Sequence, residues 1–262
     1  MSQCLNEFNT MGSMRPRIAI PVPHSGDPEY AERALPQYER AIAMAGGEPV
    51  RIPLDPPPAE VMKLIERCDA VLLPGSKADV DPSKYGAPRH AETAAADARR
   101  DTVDELLLQD AYNMRKPVLG ICYGLQTLNV YRTGTLLQHI ESPVNHAAGR
   151  KVPLAHAVEI DPGSILGDIV AEASGKLVIP VNSSHHQAAD VIGDGLRAVA
   201  RSPQDNIVEA VEGTSPDHFV LAVQWHPERS VHDDEPSRAI FRALIQAARA
   251  RHRKLVGEFE GL

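Results

Sequence analysis

Apolar positions along this chain repeat in two rhythms, and the order in which the rhythms alternate sketches the architecture. Residues 17–22 form a short apolar run of strand character, and after a Pro/Gly/His loop residues 36–45 take helical spacing that stops at Gly46-Gly47. Residues 48–54 then read as a second strand, 59–67 as a helix, and 70–73 as a fully buried third strand ending at Pro74-Gly75. A loop rich in Pro, Asp and Gly follows, to residue 89. Within 97–114, Val103, Leu106, Leu107 and Ala111 recur at helical spacing, and residues 118–121 read as a fourth strand. Strand and helix in regular alternation predict a parallel, doubly wound sheet.

Past residue 150 the rhythm changes. Runs at 151–160, 176–181, 196–200, 207–211 and 219–224 read as strands with few helices between them, so the second half is expected to add antiparallel strands. Ile240, Leu244 and Ala248 share one face of a closing helix predicted over 237–252. Residues 1–14, polar and interrupted by Met11, read as a flexible N-terminal extension, and 15–255 as a single domain.

The candidate chemistry lies where a strand gives way abruptly to a helix. In Gly120-Ile121-Cys122-Tyr123-Gly124, one cysteine sits at the bend, flanked by glycines that let the chain turn and let a substrate approach. The following helix N-terminus is expected to favour a thiolate at Cys122. Downstream, Val-Gln-Trp-His-Pro-Glu closes another predicted strand. Pro227 biases His226 toward extended backbone, where residues two apart face the same way, so Glu228 can hold one imidazole nitrogen while the other faces Cys122. Nucleophile, base and orienting carboxylate are then Cys122, His226 and Glu228. His185 or His186 could rival His226, and Ser183 or Ser184 the cysteine, but neither serine has a glycine-flanked elbow and neither histidine a carboxylate at the right parity. Acyl transfer also needs donors for the oxyanion, expected from the Tyr123 backbone N–H and from the Gly75-Ser76 turn.

Composition narrows the partners. A net charge of −8 over 262 residues, with no basic run, argues against nucleic acid and anionic membrane surfaces, and no apolar stretch approaches a membrane span. A small polar or acidic metabolite and a cytoplasmic location are expected. Three cysteines, at 4, 68 and 122, form no disulfide framework and no zinc spacing; Cys68 reads as core. Histidines scattered singly predict no metal site, and no cofactor is expected.

Gly-Ile-Cys-Tyr-Gly-Leu-Gln, Trp-His-Pro-Glu and the Pro-Gly turn, in this order, resemble the class I glutamine amidotransferase-like superfamily. Asp79-Val80-Asp81-Pro82, Tyr85-Gly86, Asn129-Val130 and Val181-Asn182-Ser183-Ser184-His185-His186-Gln187 are similar to its gamma-glutamyl-gamma-aminobutyrate hydrolase family of cysteine peptidases. The resemblance implies a flavodoxin-like three-layer α/β sandwich, mainly parallel with added antiparallel strands. It also implies hydrolysis of a small-molecule gamma-glutamyl amide through a thioester, with Gln126 and His185 near the glutamyl group. The chain departs from the family where Pro-Gly-Ser-Lys replaces a run of glycines, Tyr123 an arginine and His186 a glycine, which bears on substrate identity more than on the triad. A glutaminase that serves a separate synthase, and a non-catalytic binding module, are the alternative readings. A homodimer is left open.

Overall fold

Successive side chains of the central strands enter two different apolar clusters, and that explains the layering. The computed structural model describes residues 15–260, so the expected extension at 1–14 lies outside the described residues. In β1 (Arg17–Pro21), Ile18 and Ile20 enter one apolar cluster while Ala19 enters another on the opposite face. The same split recurs in β3 (Ala70–Leu73) and β4 (Val118–Ile121), so the sheet is buried on both sides and reads as continuous apolar runs.

Helices α1 (Pro28–Met44) and α6 (Glu235–Glu260) cover one face, with Tyr38, Ile42, Phe241 and Leu244 in its cluster; α5 (Ile165–Ser174) joins them through Leu166 and Val170. The other face takes α2 (Pro58–Ile65), α3 (Ala98–Met114) and α4 (Tyr123–Tyr131) through residues such as Val61, Leu107 and Leu125. With β2 (Glu48–Ile52), β6 (His156–Ile160), β7 (Val178–Val181), β9 (Leu196–Arg201), β10 (Val208–Gly213) and β11 (Val220–Val223), the sheet has nine strands among the described residues, ordered β2-β1-β3-β4-β11-β10-β9-β6-β7. The β2-to-β11 half pairs parallel and the remainder antiparallel, as expected for a three-layer α/β sandwich with added strands. Two short strands, β5 (Leu136–Leu137) and β8 (Ala188–Ala189), pair separately. Among the described residues no helix is long and apolar enough to cross a membrane.

Several elements differ from the sequence expectation, the closing helix among them, which spans Glu235–Glu260 rather than 237–252. Helix α1 begins at Pro28 rather than near residue 36, because the Asp27 side chain accepts the Tyr30 N–H at 2.9 Å and Pro28 occupies the first turn, leaving Pro36 inside. Helix α5 has no counterpart in the sequence expectation. Its start and stop are ordinary ones, Ser164 accepting the Gly167 N–H and Gly175 left-handed at φ 69°, but they enclose a short segment whose Ile and Val residues carry strand character too. The strand expected from residue 151 starts only at His156.

What matters most for the site is the parallel half. Strands β3, β4 and β11 are neighbours with Leu73 opposite Gly120 and Ile121 opposite Val223, so the residues that follow each strand emerge along one edge.

Candidate active site

Each of the three strand ends delivers one group. Strand β4 ends at Cys122, whose backbone sits at φ 54° and ψ −106°, a positive-φ conformation that a side chain adopts only under strain. The bend is anchored from both sides: the Cys122 N–H donates to the Val223 carbonyl at 2.8 Å, and its carbonyl accepts the Leu125 N–H at 2.9 Å as α4 begins. Helix α4 packs too closely on β3 for any side chain at Gly124, where a methyl group would lie 2.2 Å from the Leu73 carbonyl oxygen.

Strand β11 delivers His226. Its Nδ1 lies 2.8 Å from Glu228 Oε1, the two side chains meeting as their spacing predicts. The backbone of His226 is clamped by Asn182, which accepts its N–H at 3.1 Å and donates to its carbonyl at 2.8 Å. Arg229 lies 3.5 Å from Glu228 and donates to Ser184 Oγ at 2.8 Å. Strand β3 delivers Gly75. A methyl group placed there would lie 3.0 Å from His226 Cε1, 3.1 Å from the Tyr38 hydroxyl and 3.7 Å from Cys122 Cβ, so the three strand ends enclose one space.

Burial sets the charge states. It pushes the Cys122 thiol up to about 12, outweighing both the nearby Arg229 and the Tyr123 N–H directed at the sulfur, so the resting group is a thiol and not the thiolate expected from the helix terminus. Desolvation wins because the cysteine is only 6% exposed. Burial likewise holds the His226 imidazole below its ordinary value despite Glu228, leaving it neutral and able to accept a proton. For Glu228, burial alone would raise the carboxyl, but His226 and Arg229 more than reverse that and keep it ionised. A neutral base held by a carboxylate beside a neutral thiol can move a proton during attack without a standing ion pair.

The other predicted residues are distributed differently. The Gly75 N–H donates to the Tyr38 hydroxyl at 3.1 Å, so this oxyanion candidate already has a partner, while Ser76 Oγ accepts the Ala78 N–H at 3.1 Å and shapes the turn. The Tyr123 ring is committed elsewhere, its hydroxyl donating to Asp101 at 2.6 Å, which leaves only its backbone N–H for chemistry at the sulfur. Gln126 is buried, its amide donating to the Gln187 carbonyl at 3.1 Å and to Gln224 Oε1 at 3.4 Å. His185 turns toward Glu209 and the neighbouring His146 and His156, with its Nδ1 on the Gln187 carbonyl at 2.9 Å. The rival groups have other duties: Ser183 donates to the His146 carbonyl, and His186 contacts Asp79 at 3.0 Å.

Sequence reading missed Tyr38, Asn182 as a clamp, and Arg100. The last is fully buried on α3, donating to the Pro74 carbonyl at 2.8 Å and the Pro23 carbonyl at 3.0 Å, which fixes the turn before Gly75. Asn182 stands in a recognisable motif, but a helix tyrosine or arginine carries no local signal of such reach.

The sequence pattern of the Peptidase C26 family matches residues 21–228. A protein of Mycobacterium tuberculosis (strain ATCC 25618 / H37Rv), provisionally named a glutamine amidotransferase, is 38% identical over 215 residues, covering 80% of this chain and 66% of its own length. This chain thus spans just under two thirds of that relative. The gamma-glutamyl-gamma-aminobutyrate hydrolase PuuD of Escherichia coli K12 is 35% identical over 222 residues, covering 80% of this chain and 84% of its own. Among solved structures, a Thermoplasma acidophilum protein provisionally described as part of a GMP synthase superposes with a TM-score of 0.61 at 17% identity, over 93% of this chain and 98% of that one. At that identity the likeness bears on the fold alone.

Proposed function

Because this chain belongs to the Peptidase C26 family, we propose that it hydrolyses a small-molecule gamma-glutamyl amide, with Cys122 as nucleophile, His226 as base and Glu228 as the group that orients it. The observation that carries this reading is the strained elbow at Cys122 sharing one space with a neutral imidazole already tied to a carboxylate. Relatives named gamma-glutamyl-gamma-aminobutyrate hydrolase support the substrate class.

In the first half-reaction the Cys122 sulfur attacks the gamma carbonyl as its proton passes to His226. The C–N bond then breaks, the proton leaves with the amine, and a gamma-glutamyl thioester remains. In the second, His226 takes a proton from water, the hydroxide attacks the thioester carbonyl, and glutamate leaves as the thiol is regenerated. The Tyr123 N–H is the first oxyanion donor, and the Gly75 N–H becomes the second once the tyrosine hydroxyl gives it up to the developing charge. A cytoplasmic location is part of the same proposal.

A panel of gamma-glutamyl amides, read by released glutamate with the purified chain alone, tests the proposal. Turnover of at least one amide without any added protein is expected. Silence on every amide until a synthase is supplied would instead favour the partner-dependent glutaminase, the reading to which the name of the mycobacterial relative points.

A further inference from the structure

Three histidines and one carboxylate converge where the antiparallel half of the sheet meets two loops. His156 opens β6 and Glu209 lies on β10, while His146 comes from the loop between β5 and β6 and His185 from the loop between β7 and β8. One atom from each lies within 4.8 Å of every other. Glu209 Oε1 is 3.1 Å from His146 Nδ1, 3.3 Å from His156 Nε2 and 3.6 Å from His185 Nε2, and no side chain of the four is more than 4% exposed.

The outer ring nitrogens decide what the inner ones carry. His185 Nδ1 faces the Gln187 carbonyl at 2.9 Å and His156 Nδ1 the Ala157 carbonyl at 3.1 Å. A carbonyl only accepts, so each Nδ1 holds a proton and each Nε2 of a neutral ring presents its lone pair inward. His146 Nε2 faces Asp205 Oδ2 at 2.8 Å, which leaves the Nδ1 lone pair inward as well. None of the three inner nitrogens, and neither oxygen of Glu209, has a hydrogen-bond partner. Lone pairs and a carboxylate packed this way repel one another unless all three rings are protonated or a cation sits among them. Three imidazoliums against Glu209 and Asp205 would bury one unbalanced positive charge; a divalent cation with neutral rings buries none. The Glu209 contacts, 3.1, 3.3 and 3.6 Å, match the roughly 3.3 Å between ligands held tetrahedrally at about 2.0–2.1 Å from a metal, and the remaining pairs, all within 4.8 Å, would close in around the ion.

We propose that His146, His156, His185 and Glu209 form a structural site for a divalent cation of the zinc class. Three imidazole nitrogens and one carboxylate suit that class, and the Asp205, Gln187 and Ala157 partners orient the rings as supporting groups do in such sites. With all four ligands buried, the site is closed to substrate. Its task is to pin two loops to β10, one of which runs from the Asn182 clamp of His226 to Gln187, the partner of Gln126. No metal spacing is visible in the sequence, because the four ligands come from four separate elements. None of the four ligands takes part in the thiol chemistry, so absence of a metal here would leave the Cys122 reading standing.

The test uses the full chain. Elemental analysis after gel filtration is expected to find about one zinc-class ion per chain, and Co2+ added to chelator-stripped protein to give the visible bands of a four-coordinate site. Glu209→Gln and His156→Ala should each abolish those bands. Zinc added to stripped protein in large excess over its dissociation constant should raise the melting temperature by roughly 5–10 °C. Should stripping unfold the chain, refolding that requires zinc would support the site equally. A chain that purifies folded without stoichiometric metal, binds no Co2+ at the cluster and melts identically with and without zinc would overturn the proposal.

Discussion

Cys122 combines two features that oppose easy reactivity, a positive-φ backbone and a thiol raised to about 12, and both follow from its place at the end of β4. A non-glycine residue in that region costs on the order of 1–3 kcal/mol, tolerated here because the Val223 carbonyl and α4 hold both ends of the bend. The raised thiol predicts how the free enzyme meets an alkylating agent. Iodoacetamide should react slowly at neutral pH and faster as pH rises, with no plateau around neutrality; a neutral plateau would reveal a standing thiolate and overturn the proton-transfer scheme. His226 is held below its ordinary value by burial, and the proposed mechanism uses its neutral form. The acid limb of kcat/KM should therefore fall at a pH below that of a free imidazole, because protonation that removes the base is delayed. Substitution sorts the roles. Cys122→Ala should cost about 10⁴-fold or more in kcat with the fold intact, and Glu228→Gln should be milder than His226→Ala, measured as kcat on one gamma-glutamyl amide.

Among the elements, the strand ends are the most legible part of the chain. Glycine-flanked Cys122 after an apolar run, and His226 two residues from Glu228 before a proline, are local patterns, and the structure puts both where their strands stop. Long-range partners are not legible: Tyr38 from α1 on the Gly75 N–H, Arg100 from α3 on the Pro74 carbonyl and the His146-His156-His185-Glu209 cluster depend on tertiary contacts. Gln126 and His185, assigned to the glutamyl group by resemblance, both bond the Gln187 carbonyl, a shared anchor that spacing alone does not announce. Two predictions belong to this scale. Gly124→Ala would drive a methyl group into the Leu73 carbonyl, so chemical denaturation should show a loss of about 1–3 kcal/mol or more as α4 is pushed off β3. Asn182→Ala removes both hydrogen bonds that clamp the His226 backbone; stability should fall by about 1–3 kcal/mol, with kcat lowered more than KM is raised.

At the scale of the whole molecule, the sheet is two constructions joined at β11. The parallel half is readable because strands buried on both faces leave uninterrupted apolar runs alternating with helices, whereas the antiparallel half mixes exposed and buried positions, as in β6 and β7, and hides α5 among its strands. That division also separates tasks: parallel strand ends gather the thiol, the imidazole and the glycine turn, and the antiparallel half carries the loop that steadies them. The most direct measurement is intact-mass spectrometry of the enzyme quenched in acid during turnover of a gamma-glutamyl amide. The account predicts a covalent adduct of one glutamyl residue, mapped to Cys122 and absent from Cys122→Ala. Undiminished turnover by Cys122→Ala, or an adduct carried on another residue, would contradict it.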